Sequence, residues 1–371
     1  MLAGYWVFTQ DGKIFLKGRL SPGEWHTEAG PYARWLGLDL RARGFESYIW
    51  TRLLTSLLPT PPQNNGLRSR RQQQYIGNIG EGRNMPAFTR DVHVGSWGEL
   101  QSRLYEGSWQ HGLRRFRSPF AFRGLGNARS KLETTLKRLG GEYQFREQSL
   151  LRNFRKYAYR SSTQADSVWN WIALAQHHGL PTRLLDWSFS PYVALHFATV
   201  NAEEWQHAAA IWCVDCLKIK RYLPTKLRQL LKQEDSDVLT VEMLDRAALT
   251  LRAFEGLSRK PFVAFFEPPS LDERIINQAA LFSVTSRADE SLTEWLVEHR
   301  DSFHRIVIPA ALKGEVRDKL DQANINERLL FPGLDGLSRW LTRYYTPADQ
   351  FERRTRENSY ATPKDRKFGE Q

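Results

Sequence analysis

The sequence predicts an α+β fold in which a mixed or split β-sheet packs against helices. Several short apolar runs have the length and the flanking turns of strands, and they alternate irregularly with segments of helical spacing. Apolar residues make up 41% of the 371 residues and aromatic residues 12%, which is sufficient for a large buried core. The absence of internal repeats in the sequence excludes solenoid folds.

A small β-rich unit is predicted at the start of the chain, over residues 1–58. Asp11-Gly12 separates two apolar stretches within residues 5–20, and this dipeptide supplies the positive φ angles of a tight hairpin turn. Residues 31–58 are compatible with a helix that two glycines interrupt. Residues 59–90 are rich in Pro, Gln, Asn, Gly and Arg, as solvated linkers are, so we place a domain boundary there.

The main domain is predicted over residues 91–345, and a charged, flexible tail follows over residues 346–371. Ser96 and Glu99 form a capping-box pattern that predicts the start of a helix, and Pro191 stands at the first position of another. Residues 182–190 are predicted to form a turn. Further helices are predicted over residues 132–139, 147–159, 166–177, 191–200, 313–321 and 334–341, and strands over residues 120–123, 208–214, 262–266, 279–284 and 305–308.

Hydrophobicity and cysteine content restrict the class of protein. The longest apolar runs fall far short of the roughly 20 residues that cross a bilayer, and residues 1–10 lack the pattern of a signal peptide. We therefore expect a cytoplasmic protein that does not insert in a membrane. Cys213 and Cys216 are too few for a disulfide framework or a four-cysteine zinc site, and a buried strand over residues 208–214 favours structural cysteines over a redox pair. The sequence predicts no metal site.

Positive charge is concentrated in one part of the chain. The net charge is +12, and residues 101–160 hold 14 Lys or Arg against 4 Asp or Glu. A basic surface attracts nucleic acids, nucleotides and anionic membranes through the same electrostatics. We expect residues 101–160 either to contact nucleic acid or to form a solvated basic helix face.

Common enzyme motifs are missing from the sequence. It contains no P-loop, no G-x-G-x-x-G after a strand, no H-E-x-x-H and no G-x-S-x-G. Instead, polar residues lie in apolar surroundings at residues 122–124, 176–183, 186–188 and 277–278. Buried polar groups require hydrogen-bond partners, so these four segments are the candidate site.

These segments closely resemble the FRG domain, a bacterial and phage family named for an aromatic-Arg-Gly motif. Related domains tend to have Gly before the last aromatic residue of the Gln motif, where this chain has Ala279 and Ala280. With residues 331–335, the resemblance covers about residues 91–345. The matching pieces are Phe122-Arg123-Gly124, Leu132 with Leu136 and Arg138, residues 176–198, and Arg274 with residues 278–282.

A second resemblance, to ADP-ribosyltransferases of the Arg-Ser-Glu type, implies a mechanism. In that family an Arg on the first strand holds NAD, a Ser-x-Ser segment follows, and a late strand brings a Glu. Arg123 and Ser188-Phe189-Ser190 fall in this order, but the late strand offers Gln278 in place of Glu. An amide can bind a ribose, but it stabilises a cationic transition state less well than a carboxylate does.

The resemblances and the residue types together suggest roles for the candidate residues. Arg123 is expected to anchor a phosphate of NAD, a substrate rather than a covalently bound cofactor. Ser188 and Gln278 are expected to position the ribose. The candidate catalytic residues are Arg123, His178, Asp186 and Gln278. The candidate nucleotide-binding residues are Arg123, Gly124, His177, Thr182, Arg183, Trp187, Ser188 and Ser190.

Most of these side chains also have a structural interpretation. Arg123 can form a salt bridge, and Arg183 can pair with Asp186 in a buried network. One of the two adjacent histidines can end a helix, with Gly179 as the left-handed residue that follows. Trp187 can fill the core.

Three functions follow from the sequence. The first is an enzyme that uses NAD, as a glycohydrolase or an ADP-ribosyltransferase. The second is a module that binds a nucleotide or a nucleic acid without turnover. The third is a defence-associated effector in which residues 1–58 bind a protein partner and the FRG domain is regulatory.

Overall fold

The structure is a computed structural model that describes residues 6–10, 13–17, 91–158 and 167–347. The chain divides into two compact units, residues 1–82 and 83–371. In the first unit, β1 (Trp6–Gln10) pairs antiparallel with β2 (Lys13–Lys17), which confirms the predicted hairpin around Asp11-Gly12. The predicted helix over residues 31–58, the predicted linker and all but the start of the predicted tail lie outside the described residues.

The second unit consists of strands and helices that alternate irregularly along the chain. Its strands are β3 (Asp91–His93), β4 (Trp109–Gln110), β5 (Arg115–Phe116), β6 (Phe120–Leu125), β7 (Leu184–Ser188), β8 (Ala209–Asp215), β9 (Leu239–Thr240), β10 (Val263–Glu267), β11 (Ala280–Thr285) and β12 (Phe303–Ile308). Its helices are α1 (Trp97–Leu104), α2 (Thr135–Arg138), α3 (Tyr143–Ala158), α4 (Val168–His177), α5 (Pro191–Thr199), α6 (Cys216–Ile219), α7 (Thr225–Gln233), α8 (Val241–Ala247), α9 (Leu251–Glu255), α10 (Glu273–Asn277), α11 (Leu292–Glu298), α12 (Lys313–Gln322), α13 (Glu327–Leu330) and α14 (Leu334–Tyr344).

Eight strands form one mixed sheet in the order β3-β12-β8-β6-β7-β11-β10-β9. The two outermost pairings, β3 with β12 and β9 with β10, are parallel, and the other pairings are antiparallel. β6 pairs with β8 along its whole length, but it pairs with β7 only where Phe122 lies opposite Ser188. The α+β class with a mixed sheet is confirmed, and two four-stranded halves of this sheet meet at a single residue pair.

The core lies on both faces of the sheet because β7 and β11 are buried on both sides. Leu184 of β7 packs with the helices α4, α7, α8 and α9 on one face, whereas Leu185 and Trp187 pack with α11 on the other. Next to the first of these clusters, Phe122 of β6 packs with α1, α5 and α12. A strand that is buried on both faces has few polar residues, so a polar residue on such a strand is a candidate functional residue.

The predicted turn over residues 182–190 is wrong, because β7 occupies most of this segment. Leu184, Leu185 and Trp187 are buried, and β7 pairs with β11 along its full length. Gly179 and Pro181, which precede the segment, favour a turn, but three buried apolar side chains decide the structure. The strand predicted over residues 120–123 also continues, through Gly124 to Leu125.

The sequence predicts correctly where two helices with a capping side chain begin. Ser96 caps α1, and Glu99 accepts a hydrogen bond from the Gly95 amide at 2.9 Å. Ser190 caps α5, which begins at Pro191 as predicted. The helix predicted over residues 132–139 is shorter, because only Thr135–Arg138 is helical.

The C-terminal helices α12, α13 and α14 are tied to α5 by buried charges. Arg343 forms paired hydrogen bonds of 2.7 Å with both Asp321 and Glu327. Arg317 is 3.5 Å from Glu327 and donates to Nδ1 of His196, a fully buried residue of α5, at 2.9 Å. Although burial raises the pKa of Glu327, hydrogen bonds from Arg343 and the Arg317 charge bring it down to about 2. Glu327 is therefore a permanent anion in this network.

The cysteines lie in the interior, as predicted. Cys213 is on β8 and Cys216 begins α6, and both are buried and free. Burial raises the pKa of both thiols, that of Cys216 to about 12, so neither is a ready nucleophile. Among the residues that the structure describes, every helix is too short or too polar to cross a membrane.

Candidate functional site

Arg123 lies where the two halves of the sheet part. It follows Phe122, the residue of β6 that pairs with β7, and its Nη1 donates a hydrogen bond to the backbone oxygen of Asp186 on β7. The same nitrogen is 3.9 Å from the Asp186 carboxylate. The guanidinium thus replaces ladder hydrogen bonds between β6 and β7. Its buried Nε has no hydrogen-bond partner among the described residues.

Two further side chains hold the Asp186 carboxylate in place. Thr182 Oγ1 donates to Gln176 Oε1 at 2.6 Å, and Gln176 Nε2 then donates to Asp186 Oδ2 at 3.1 Å. The first bond fixes the orientation of the amide, so its NH₂ faces the carboxylate. The Asp186 side chain is nevertheless 60% exposed. A carboxylate that is fixed by hydrogen bonds and exposed to solvent can contact a ligand.

Arg138 adds a second positive charge near Arg123. Burial lowers the pKa of Arg123, Asp186 raises it, and the charge of Arg138 lowers it again. Arg138 lies on α2 and is exposed, and α2 is anchored by hydrogen bonds with the Thr182 backbone. We call Arg123, Arg138, Gln176 and Asp186 the split site. It presents two guanidiniums, one carboxylate and one amide.

The two histidines at the end of α4 point in different directions. His177 Nε2 is 2.8 Å from Asp272 Oδ2, while the other oxygen of Asp272 accepts from the Ile275 amide and caps α10. Burial lowers the pKa of His177, and the nearby Asp272 carboxylate opposes this effect in part, so the net shift is downward. His178 is the exposed C-cap residue of α4, and Gly179 follows with a φ of 80°, which confirms the predicted helix end.

Ser188, the residue opposite Phe122, forms a second polar group with Ser190 and Gln278. Ser188 Oγ donates to the Gln278 backbone oxygen at 2.7 Å and accepts from the Ser190 amide at 2.9 Å. Ser190 Oγ accepts from the Val193 amide, which caps α5. The Gln278 side chain donates to the backbone oxygen of Leu330 at 2.8 Å. These polar groups hold β7, α5 and α13 together.

Three of the sequence-predicted binding residues face the interior. Arg183 is 3% exposed and pairs with Glu147 and Glu255, not with Asp186. Trp187 Nε1 donates to Ser283 Oγ at 2.8 Å in the core. A Cβ on Gly124 would lie 1.9 Å from the Ala194 backbone oxygen, so the close approach at this glycine is that of helix α5.

Three residues of this region could not be predicted from the sequence. Gln176 lies in the polar segment at residues 176–183, but the sequence does not indicate that its amide faces Asp186. The sequence does not indicate that Asp272 pairs with His177, because the two residues lie 95 positions apart. It does not indicate the pairing of Glu147 with Arg183 either, because these residues lie 36 positions apart. Over the described segments, no group of three or more His, Cys, Asp or Glu is placed to hold a metal ion.

Comparison with known proteins identifies one family. The family model of the FRG domain matches residues 118–207, so the chain contains an FRG domain over these residues. The match runs from the residues before β6 to those before β8 and includes Arg123, Gln176 and Asp186 of the split site. Comparison with curated proteins gave no match, and neither did comparison with solved structures.

Proposed function

We propose that the split site binds a nucleotide of the NAD class and cleaves its bond between ribose and nicotinamide. The observation that carries this proposal is Asp186, an exposed carboxylate that Gln176 and Arg123 hold at the parting of the sheet. Arg123 and Arg138 supply positive charge for the phosphates, and the buried Nε of Arg123 is a donor that has no partner among the described residues.

The chemistry requires a carboxylate close to the ribose. When the bond between the ribose carbon and the nicotinamide nitrogen breaks, its electron pair goes to nicotinamide and positive charge develops on the ribose. The Asp186 carboxylate stabilises this charge and takes the proton of the attacking water, or of another acceptor, as the new bond to oxygen forms. Asp186 thus takes the role for which Gln278, the residue that ends α10 just before β11, offers only an amide.

The second candidate is a module that binds a nucleotide without turnover. The observation in its favour is that Ser188 Oγ and the Gln278 side chain are both bonded to backbone groups of the protein. They are therefore not free to grip a ribose as the resemblance to ADP-ribosyltransferases implies. Binding then rests on the split site alone.

The experiment measures binding of NAD by calorimetry and release of nicotinamide by chromatography. Asp186→Asn is expected to keep binding and to lose release, because the amide retains the shape but not the charge. Arg123→Ala is expected to lose both. Asp289→Asn, at an exposed carboxylate elsewhere on the domain, is the matched control and should behave as wild type.

Each outcome decides between the candidates. Binding without release in the wild-type protein supports the non-catalytic module. Release that persists in Asp186→Asn refutes the role of this carboxylate. Absence of both binding and release in the wild-type protein refutes the proposal for NAD.

A further inference from the structure

A short hairpin projects exposed aromatic and basic side chains from the second unit. It consists of β4 and β5, in which Trp109 lies opposite Phe116 and Gln110 opposite Arg115. Trp109 is 44% exposed and Phe116 58% exposed. Every residue from 111 to 118 is exposed, so the hairpin tip is open to solvent. Large aromatic side chains in such a position suggest a binding surface.

A row of ring contacts continues from the hairpin to Tyr105, which is exposed, and then to Tyr192, which is half-buried. The ring centroids of Trp109 and Phe116 are 5.0 Å apart, and those of Phe116 and Tyr105 are 6.4 Å apart. Tyr105 in turn is 6.4 Å from Tyr192, the second residue of α5. We call Trp109, Phe116, Tyr105 and Tyr192 the aromatic row. It leads from the hairpin to the start of α5, the helix that follows β7.

Three arginines flank the aromatic row without acidic partners. Arg114, Arg115 and Arg117 are all exposed, and within the described residues none of them forms an ion pair. The nearby acid Glu106 is paired with Arg103 at 2.8 Å. The hairpin therefore carries uncompensated positive charge beside flat apolar rings.

We propose that the aromatic row and these arginines bind single-stranded nucleic acid. Unpaired bases stack on aromatic rings, and guanidiniums contact the phosphates that link them. A duplex keeps its bases stacked inside the helix, so it cannot use the rings. An apolar protein partner would use the rings but not three arginines without counter-ions. This surface does not include the split site, so the inference does not depend on NAD.

The test measures binding by fluorescence anisotropy with labelled oligothymidylate and oligouridylate of about 15 nucleotides. Trp109→Ala combined with Phe116→Ala is expected to weaken binding roughly tenfold or more, since the variant loses two of the rings on which bases would stack. Tyr157→Ala, at a 78% exposed ring on α3, is the matched aromatic control and should bind as wild type. Thermal unfolding followed by circular dichroism checks that each variant is folded.

Salt dependence tests the arginines separately. Changing Arg114, Arg115 and Arg117 to Ala should reduce the slope of log affinity against log salt by about 2, as expected for three lost phosphate contacts. The control removes the same charge elsewhere, at the exposed residues Arg221, Lys232 and Arg252.

The proposal fails on any of three results. An equal loss in the hairpin and control triple variants would mean that binding reflects net charge alone. Preference for a duplex over the single strand would exclude stacking on the rings. If the wild-type protein binds neither oligonucleotide, the aromatic row does not bind single-stranded nucleic acid, and a protein becomes its expected partner. Binding by only one of the two oligonucleotides would support the proposal and show which sugar the surface accepts.

Discussion

Acidification should destabilise the second unit through His196. This residue is fully buried on α5, and its Nδ1 accepts a hydrogen bond from Arg317 at 2.9 Å. Because a guanidinium can only donate, Nδ1 must carry no proton. Burial, reinforced by the charge of Arg317, lowers the pKa of His196 to about 3. The unfolded chain has a histidine pKa of about 6.5.

The sign and the size of the effect follow from these two pKa values. Between pH 6.5 and pH 3 the unfolded state takes up a proton that the folded state does not, so the free energy of unfolding falls as the pH falls. The slope is about 1.4 kcal/mol per pH unit. Between pH 6.5 and pH 4.5 the contribution of His196 should therefore decrease by roughly 2.5 kcal/mol.

Urea unfolding of the wild-type protein and of His196→Asn measures this contribution. The asparagine carbonyl can accept the Arg317 hydrogen bond but does not titrate, so the difference between the two proteins isolates the histidine from the carboxylates. We expect the wild-type protein to lose more stability than the variant between pH 6.5 and pH 4.5. Parallel pH profiles would refute the assignment of His196 as a buried neutral acceptor.

Two further substitutions test the packing of the FRG domain. Gly124→Ala should destabilise the protein by about 1–3 kcal/mol or more, because its Cβ would lie 1.9 Å from the backbone of α5, whereas Gly98→Ala has open space and serves as the control in thermal unfolding. Glu147→Gln removes a charge from buried Arg183 and should cost roughly 3 kcal/mol in urea unfolding, while exposed Glu142→Gln should cost little. Equal stability of a variant and its control would contradict the packing in that region.

Features of the fold that depend on neighbouring residues could be predicted from the sequence. Ser96 and Ser190 cap the helices that follow them, and Gly179 ends α4, because these roles depend on side chains within a few positions. The apolar strands β8, β10 and β11 were also predicted within a residue or two of their bounds. By contrast, helices α6 to α9, over residues 216–255, were not predicted.

The parts of the site that depend on distant contacts could not be predicted. Arg183 was expected to bind a ligand or to pair with Asp186, but the fold brings Glu147 and Glu255 to it. The sequence predicts a turn where β7 lies, because the burial of Leu184 and Leu185 depends on strands and helices that are far away in sequence. Only Arg123 and Asp186 of the predicted catalytic residues lie together in the split site.

The most direct test of the central proposal is nicotinamide release from NAD by the wild-type protein and by Arg123→Ala. The split site places Arg123 and Asp186 side by side, so we expect release by the wild-type protein and none by a folded variant. Release that is unchanged in Arg123→Ala would contradict the proposal that NAD is cleaved at the split site.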